Sequence, residues 1–204
     1  MPEPAPALAS PPPSDVLPTF WNVPNTITIG RMGLAVVVFV LIELGQYFLA
    51  AAVFGVAAVT DALDGFLARK LNQSTPIGRQ LDPLVDKVIV AGTYIYLLTI
   101  PGTGVRPWMV TTIVIRELLI QGLRSHLEGQ GQAFGAKTAG KVKTVIQCLS
   151  ISAVLVCLWL EPPPAWLFGR DVLTWMAVAL TLYSGLGYVL AAAPALKGRR
   201  GGEA

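Results

Sequence analysis

From Asn22 onward the chain falls into six apolar runs, at 26–45, 47–68, 77–100, 107–127, 138–160 and 172–193. Each is close to the ~20 residues a helix needs to cross a bilayer at ~1.5 Å per residue. The breaks between them are equally legible. Pro101 and Gly102 end the third run, and Glu161 followed by three prolines separates the fifth from the sixth. Thr75-Pro76 reads as a helix N-cap with proline at the first helical position. No polar–apolar alternation runs far enough to build a barrel. The pattern predicts an all-α integral membrane protein of six transmembrane helices over 22–196. A proline-rich tail at 1–21 precedes it and a basic tail at 197–204 follows. The first 20 residues carry seven prolines and two acidic charges, and lack the basic n-region and apolar h-region of a signal peptide.

Composition sharpens this reading. Of 204 residues 53% are hydrophobic and 13% charged, with a mean hydropathy of +0.61. A soluble domain carries about a quarter charged residues. A disordered chain, a soluble nucleic-acid binder and a secreted disulfide scaffold are all excluded. Cys148 and Cys157 lie nine residues apart in one run. That is ~13 Å on a continuous helix, too far for a bridge. The net charge of +3 comes from 15 basic residues. With the 69–79 loop placed inside, only Arg106 and Arg170 fall on the opposite side. The positive-inside rule then makes the basic side, with both termini, cytoplasmic. The expected location is a cell membrane, crossed several times, with no nucleic-acid partner.

The chemistry concentrates in DALDGFLARKLNQSTPIGRQLDPLVD, residues 61–86. Asp61 and Asp64 are three apart on a helix and share a face; Asp82 and Asp86, four apart, share one on the next. The intervening turn is expected to make these helices antiparallel neighbours, so that four carboxylates can converge in one cavity near the cytoplasmic end. At membrane depth they would repel and be costly to desolvate. Divalent cations remove the conflict, and an all-oxygen donor set selects Mg²⁺, Mn²⁺ or Ca²⁺ over zinc. Gly65 and Ala68 let a helix or a ligand's phosphates approach the backbone, and Arg69 suits bidentate phosphate recognition. His126, the one histidine, reads as a bystander.

These residues carry a resemblance. Asp61-x2-Asp64-Gly65-x2-Ala68-Arg69-x8-Gly78-x3-Asp82-x3-Asp86 resembles the complete signature of the CDP-alcohol phosphotransferase family. The resemblance implies a six-helix, homodimeric membrane enzyme using two divalent cations, Mg²⁺ or Mn²⁺. Such an enzyme moves a phosphatidyl-type group from a CDP-linked lipid to an alcohol and releases CMP. It further implies that Asp61 and Asp82 bridge both metals, that Asp64 binds the first, and that Asp86 binds the second and accepts the alcohol's proton. Gly65, Arg69 and Thr75 would contact the nucleotide diphosphate, with Pro24, Asn25, Thr26 and Ile27 also touching the CDP-lipid.

The second half bears on the alcohol. Arg116, Arg124, Lys141 and Lys143 could gather at the level of the aspartates, and four cations beside a CDP site suggest an anionic acceptor. The patterns Arg116-Glu117, Gly122-Leu123-Arg124 and Gly140-Lys141-x-Lys143-Thr144, with Asn22 to Asn25, Thr28 and Arg31, resemble family members whose acceptor is glycerol 3-phosphate. Some are shared with members that use phosphatidylglycerol. The implied donor is CDP-diacylglycerol. Inositol phosphate and phosphatidylglycerol remain rival acceptors, and a metal-gated transporter is the rival from another class. The resemblance covers residues 22 to about 150 and leaves the last helix without a role.

Overall fold

The computed structural model describes the backbone of residues 23–71, 76–129 and 138–197, with side chains over 29–60, 87–125 and 140–192 together with Val85 and Leu127. The described residues form six helices and no strand: α1 (Val23–Glu43), α2 (Tyr47–Leu71), α3 (Pro76–Leu98), α4 (Pro107–Gly129), α5 (Thr138–Leu160) and α6 (Pro164–Lys197). Three of them open on proline, whose fixed φ suits a first helical position and whose missing N–H needs no partner there. Ahead of α4, the Arg106 carbonyl accepts the N–H groups of Met109 and Val110 at 3.0 and 3.3 Å. Just past the end of α1 stands Gly45, with φ +70°. There Gly45 N–H donates to Ile42 and Gln46 N–H to Leu41, a Schellman closure that turns the chain directly into α2.

α5 lies centrally, against α2, α3 and α6; α1 packs on α2 and α3, and α4 on α3 and α6. The interior is built from Val38, Phe54, Tyr94, Leu97, Met109, Ile113, Ile151 and Leu155, all essentially inaccessible. A polar seam shares that interior. Gln147 donates to the Thr181 hydroxyl at 3.0 Å, and the Ser150 and Thr174 hydroxyls lie 2.9 Å apart. Outside, large apolar side chains stand open: Phe168 is 73% exposed, Leu118 65% and Leu190 64%. Polar groups paired within and apolar groups bare without is the distribution a hydrocarbon solvent favours. Gly140–Leu160 and Pro164–Ala192 are long and apolar enough to cross a membrane. Six helices stand where six apolar runs are expected, and among the described residues these two have the length and composition of a span.

The sixth helix departs from its expected bounds. It begins at Pro164 rather than at 172. The hydropathy reading stops at the charged pair Arg170-Asp171, but the helix runs through it because those charges are compensated. Arg170 is buried; its Nη1 donates to the Gly102 carbonyl at 2.7 Å, and its Nε and Nη2 reach Asp171 Oδ1 at 2.9 and 2.7 Å. This clamp ties the α3–α4 connection to the start of α6. Aromatic pairs gather at the same end of the bundle, Phe48 with Trp159 at 4.6 Å and Trp108 with Trp175 at 5.4 Å.

Candidate functional site

The four aspartates fall on the two helices flanking residues 72–75. Asp61 and Asp64 lie in the C-terminal half of α2, Asp82 and Asp86 in the N-terminal half of α3. Counted from Leu71 and Pro76, where these helices end and begin, Asp64 and Asp82 are seven and six residues in, and Asp61 and Asp86 are both ten. At ~1.5 Å per residue the two pairs have matched heights, ~10 and ~15 Å. Both helices lie against α1 and α5. The side chains of Asp61, Asp64, Asp82 and Asp86 lie outside the described residues, as do those of Pro24, Asn25, Thr26, Ile27, Gly65, Arg69 and His126. Thr75 lies outside them altogether.

The cations on α4 and α5 are described, and they differ in burial. Arg116 and Lys143 come together through Glu117, the residue after Arg116. Lys143 Nζ donates to Glu117 Oε1 in a buried ion pair. Arg116 Nη1 approaches the two Glu117 oxygens at 3.3 and 3.4 Å. Lys141, two residues before Lys143, stands exposed, and Arg124 is half-buried. Two residues on a helix differ by ~200° in direction, so Lys141 faces out where Lys143 faces in.

The last helix, left without a role by sequence reasoning, completes the cluster. Arg116 Nη2 donates to the Ser184 hydroxyl at 2.9 Å, and the guanidinium carbon lies 5.6 Å from the centre of the Tyr188 ring. Between them sits Gly185, where an added Cβ would come within 3.0 Å of Arg116 Cγ. The glycine is what lets the arginine stem pass. Arg116 Nε is buried with no hydrogen-bond partner.

A second contact registers this cluster against the aspartates. Lys87, next in sequence to Asp86, donates to Gln121 Oε1 on α4. Gln121 is one helical turn beyond Glu117, on the same face. The α4–α5–α6 cluster therefore lies about one helical turn from the contact that Lys87, the neighbour of Asp86, makes on α4. Glu117, Gln121 and Ser184 are residues sequence reasoning missed as site components. The available signal was an ionisable or polar side chain inside an apolar run, strongest for Glu117.

Known proteins match the chain over most of its length. A family model described as CDP-alcohol phosphatidyltransferase matches residues 21–183, extending into α6. The chain is similar to a protein of Bacillus subtilis (strain 168) named CDP-diacylglycerol--glycerol-3-phosphate 3-phosphatidyltransferase. The identity is 34% over 186 residues, covering 82% of this chain and 93% of the relative. A protein of the same name from Escherichia coli (strain K12) is 37% identical over 183 residues, covering 84% and 95%.

Proposed function

Because the chain belongs to the CDP-alcohol phosphatidyltransferase family, we propose that it transfers the phosphatidyl group of CDP-diacylglycerol to glycerol 3-phosphate. The products are phosphatidylglycerophosphate and CMP. The acceptor's hydroxyl oxygen forms a bond to the lipid-bearing phosphorus, the bond from that phosphorus to CMP breaks, and the hydroxyl proton passes to Asp86. The observation that carries the acceptor assignment is the buried cluster of Arg116, Glu117 and Lys143, about one helical turn along α4 from the residue that Lys87, next to Asp86, contacts. It lies outside the aspartate signature, which by itself accounts for the CDP group. Cations so placed fit an acceptor with its own phosphate.

Asp61, Asp64, Asp82 and Asp86 would hold two divalent cations, Mg²⁺ or Mn²⁺. The fit rests on the donor chemistry and on the matched heights of the two pairs on α2 and α3. When bound, the metals supply charge neutralisation at the diphosphate and the attacking oxygen. Gly65, Arg69 and Thr75 bind the diphosphate, and Pro24, Asn25, Thr26 and Ile27 the CDP-lipid. Arg124 and Lys141 keep solvent-accessible surface and meet an incoming anion first; Arg116 and Lys143 hold it. The enzyme crosses the membrane six times as a homodimer, its site and both termini cytoplasmic. The bare apolar flanks support the membrane reading. So do the aromatic pairs at the end away from the aspartates, the kind of side chain that collects at membrane–water interfaces.

An acceptor panel tests this directly. Purified protein with CDP-diacylglycerol and Mg²⁺ is assayed for CMP release with glycerol 3-phosphate, inositol phosphate, phosphatidylglycerol, glycerol, serine and inositol, with and without EDTA. Glycerol 3-phosphate is expected to dominate and EDTA to abolish release. Preference for an unphosphorylated alcohol overturns the acceptor assignment, and full release in EDTA overturns the metal assignment.

A further inference from the structure

We infer that Glu117 is a positioning residue for the acceptor's phosphate: its carboxylate holds Arg116 of α4 and Lys143 of α5 in the geometry that binds it. The inference rests on the acceptor reading above. Glu117 is 5% exposed and Lys143 3%, so water does little to screen either. Two cations brought together in such surroundings repel, and neither would stay without an anion between them. One carboxylate shared by two cations leaves the cluster with a net charge of +1, so it remains attractive to a phosphate.

The donors left over point the same way. Arg116 is anchored from behind: Nη1 on Glu117, Nη2 on Ser184, its face over Tyr188 and its stem against Gly185. Its Nε is buried and unpartnered. A buried guanidinium N–H without an acceptor is costly, and the arrangement persists at less cost if an anion completes it. The Lys143 ammonium carries three donors, of which Glu117 Oε1 takes one. Glu117 therefore spends part of each cation on fixing its place and leaves part for a ligand.

A role in holding the helices together and nothing more makes a different prediction. Stability and turnover would fall, but the two substrates would be affected alike. The full-length enzyme in detergent with Mg²⁺, assayed for CMP release, separates the two. Glu117→Gln keeps the shape and removes the charge. It is expected to raise the KM for glycerol 3-phosphate by about tenfold or more, with the KM for CDP-diacylglycerol changing by less than about threefold. Glu117→Asp, which restores a carboxylate one methylene shorter, is expected to recover part of the loss. Ser184→Ala removes a neutral anchor of Arg116 from another helix, and is expected to move the glycerol 3-phosphate KM in the same direction by about threefold. It carries the test if Glu117→Gln does not yield folded enzyme. A glycerol 3-phosphate KM unchanged in these variants, or both KM values rising together, overturns the inference. Arg116→Ala and Lys143→Met locate the failure. If they raise that KM while Glu117→Gln and Ser184→Ala do not, only the positioning role falls. If they too leave it unchanged, the acceptor reading falls and the inference goes with it.

Discussion

Replacing Lys143 by methionine removes an ammonium from between helices while keeping most of the side chain's length and apolar bulk. The side chains of Lys143 and Glu117 are 4% and 6% exposed, so the carboxylate left behind cannot turn to water. Its other partner is Arg116 Nη1, at 3.3 and 3.4 Å, longer than the ~2.7–2.9 Å of a strong charge-assisted bond. Arg116 therefore compensates it poorly. Removing one partner of a buried pair costs about 3–5 kcal/mol. For a chain of this size each kcal/mol moves the unfolding midpoint by roughly 2–4 °C. Lys143→Met is thus expected to melt roughly 6–20 °C below the parent, followed in detergent as the temperature at which the monodisperse chromatographic peak is lost. The double variant Glu117→Gln/Lys143→Met has no stranded charge. It is expected to recover most of the loss, giving a coupling of about 2–3 kcal/mol in the cycle. Its glycerol 3-phosphate KM is not expected to recover, since neutral Gln and Met do not replace the lysine's charge on a phosphate. A single variant within about 2 °C of the parent, or a double variant that loses the sum of the two singles, would refute the reasoning that the pair is buried and mutually dependent.

Asp86→Asn is expected to lower CMP release by about 10²–10⁴-fold while CDP-diacylglycerol binding is largely retained, because an amide cannot take the hydroxyl proton; activity within about tenfold of the parent removes Asp86 as proton acceptor. Arg170→Met breaks the clamp on Gly102 and Asp171 and is expected to cost about 2–3 kcal/mol of stability. Both KM values should stay within about threefold, since Leu98, where α3 ends near the clamp, is 12 residues from Asp86, ~18 Å along the helix. A shifted glycerol 3-phosphate KM with an unchanged midpoint would contradict that separation.

The helices themselves were largely readable because their signals are local. An apolar run, a proline at a first turn and a glycine or proline at a break act through neighbouring residues; the fifth run, 138–160, coincides with α5. The missed start of α6 has the opposite character. Arg170-Asp171 looks like an interruption until the Gly102 carbonyl, 68 residues away in sequence, is brought to Arg170. Hydropathy weighs a charge as though it stood alone, whereas the folded chain supplies its partner.

The same division runs through the site. That four aspartates lie on two successive helices, at spacings that keep each pair on one face, follows from local pattern, since helical pitch fixes those directions. The same local pattern puts basic residues on the following two helices. Which of those cations act together was decided only by tertiary packing. Lys141 and Lys143 are two residues apart, yet one is exposed and the other buried against Glu117, because the phase of α5 is set by α2, α3 and α6. Arg116 is held by Ser184 and Tyr188, on a helix the motifs left without a role. A charge's worth depends on what compensates it, and in this protein the compensating groups come from other helices.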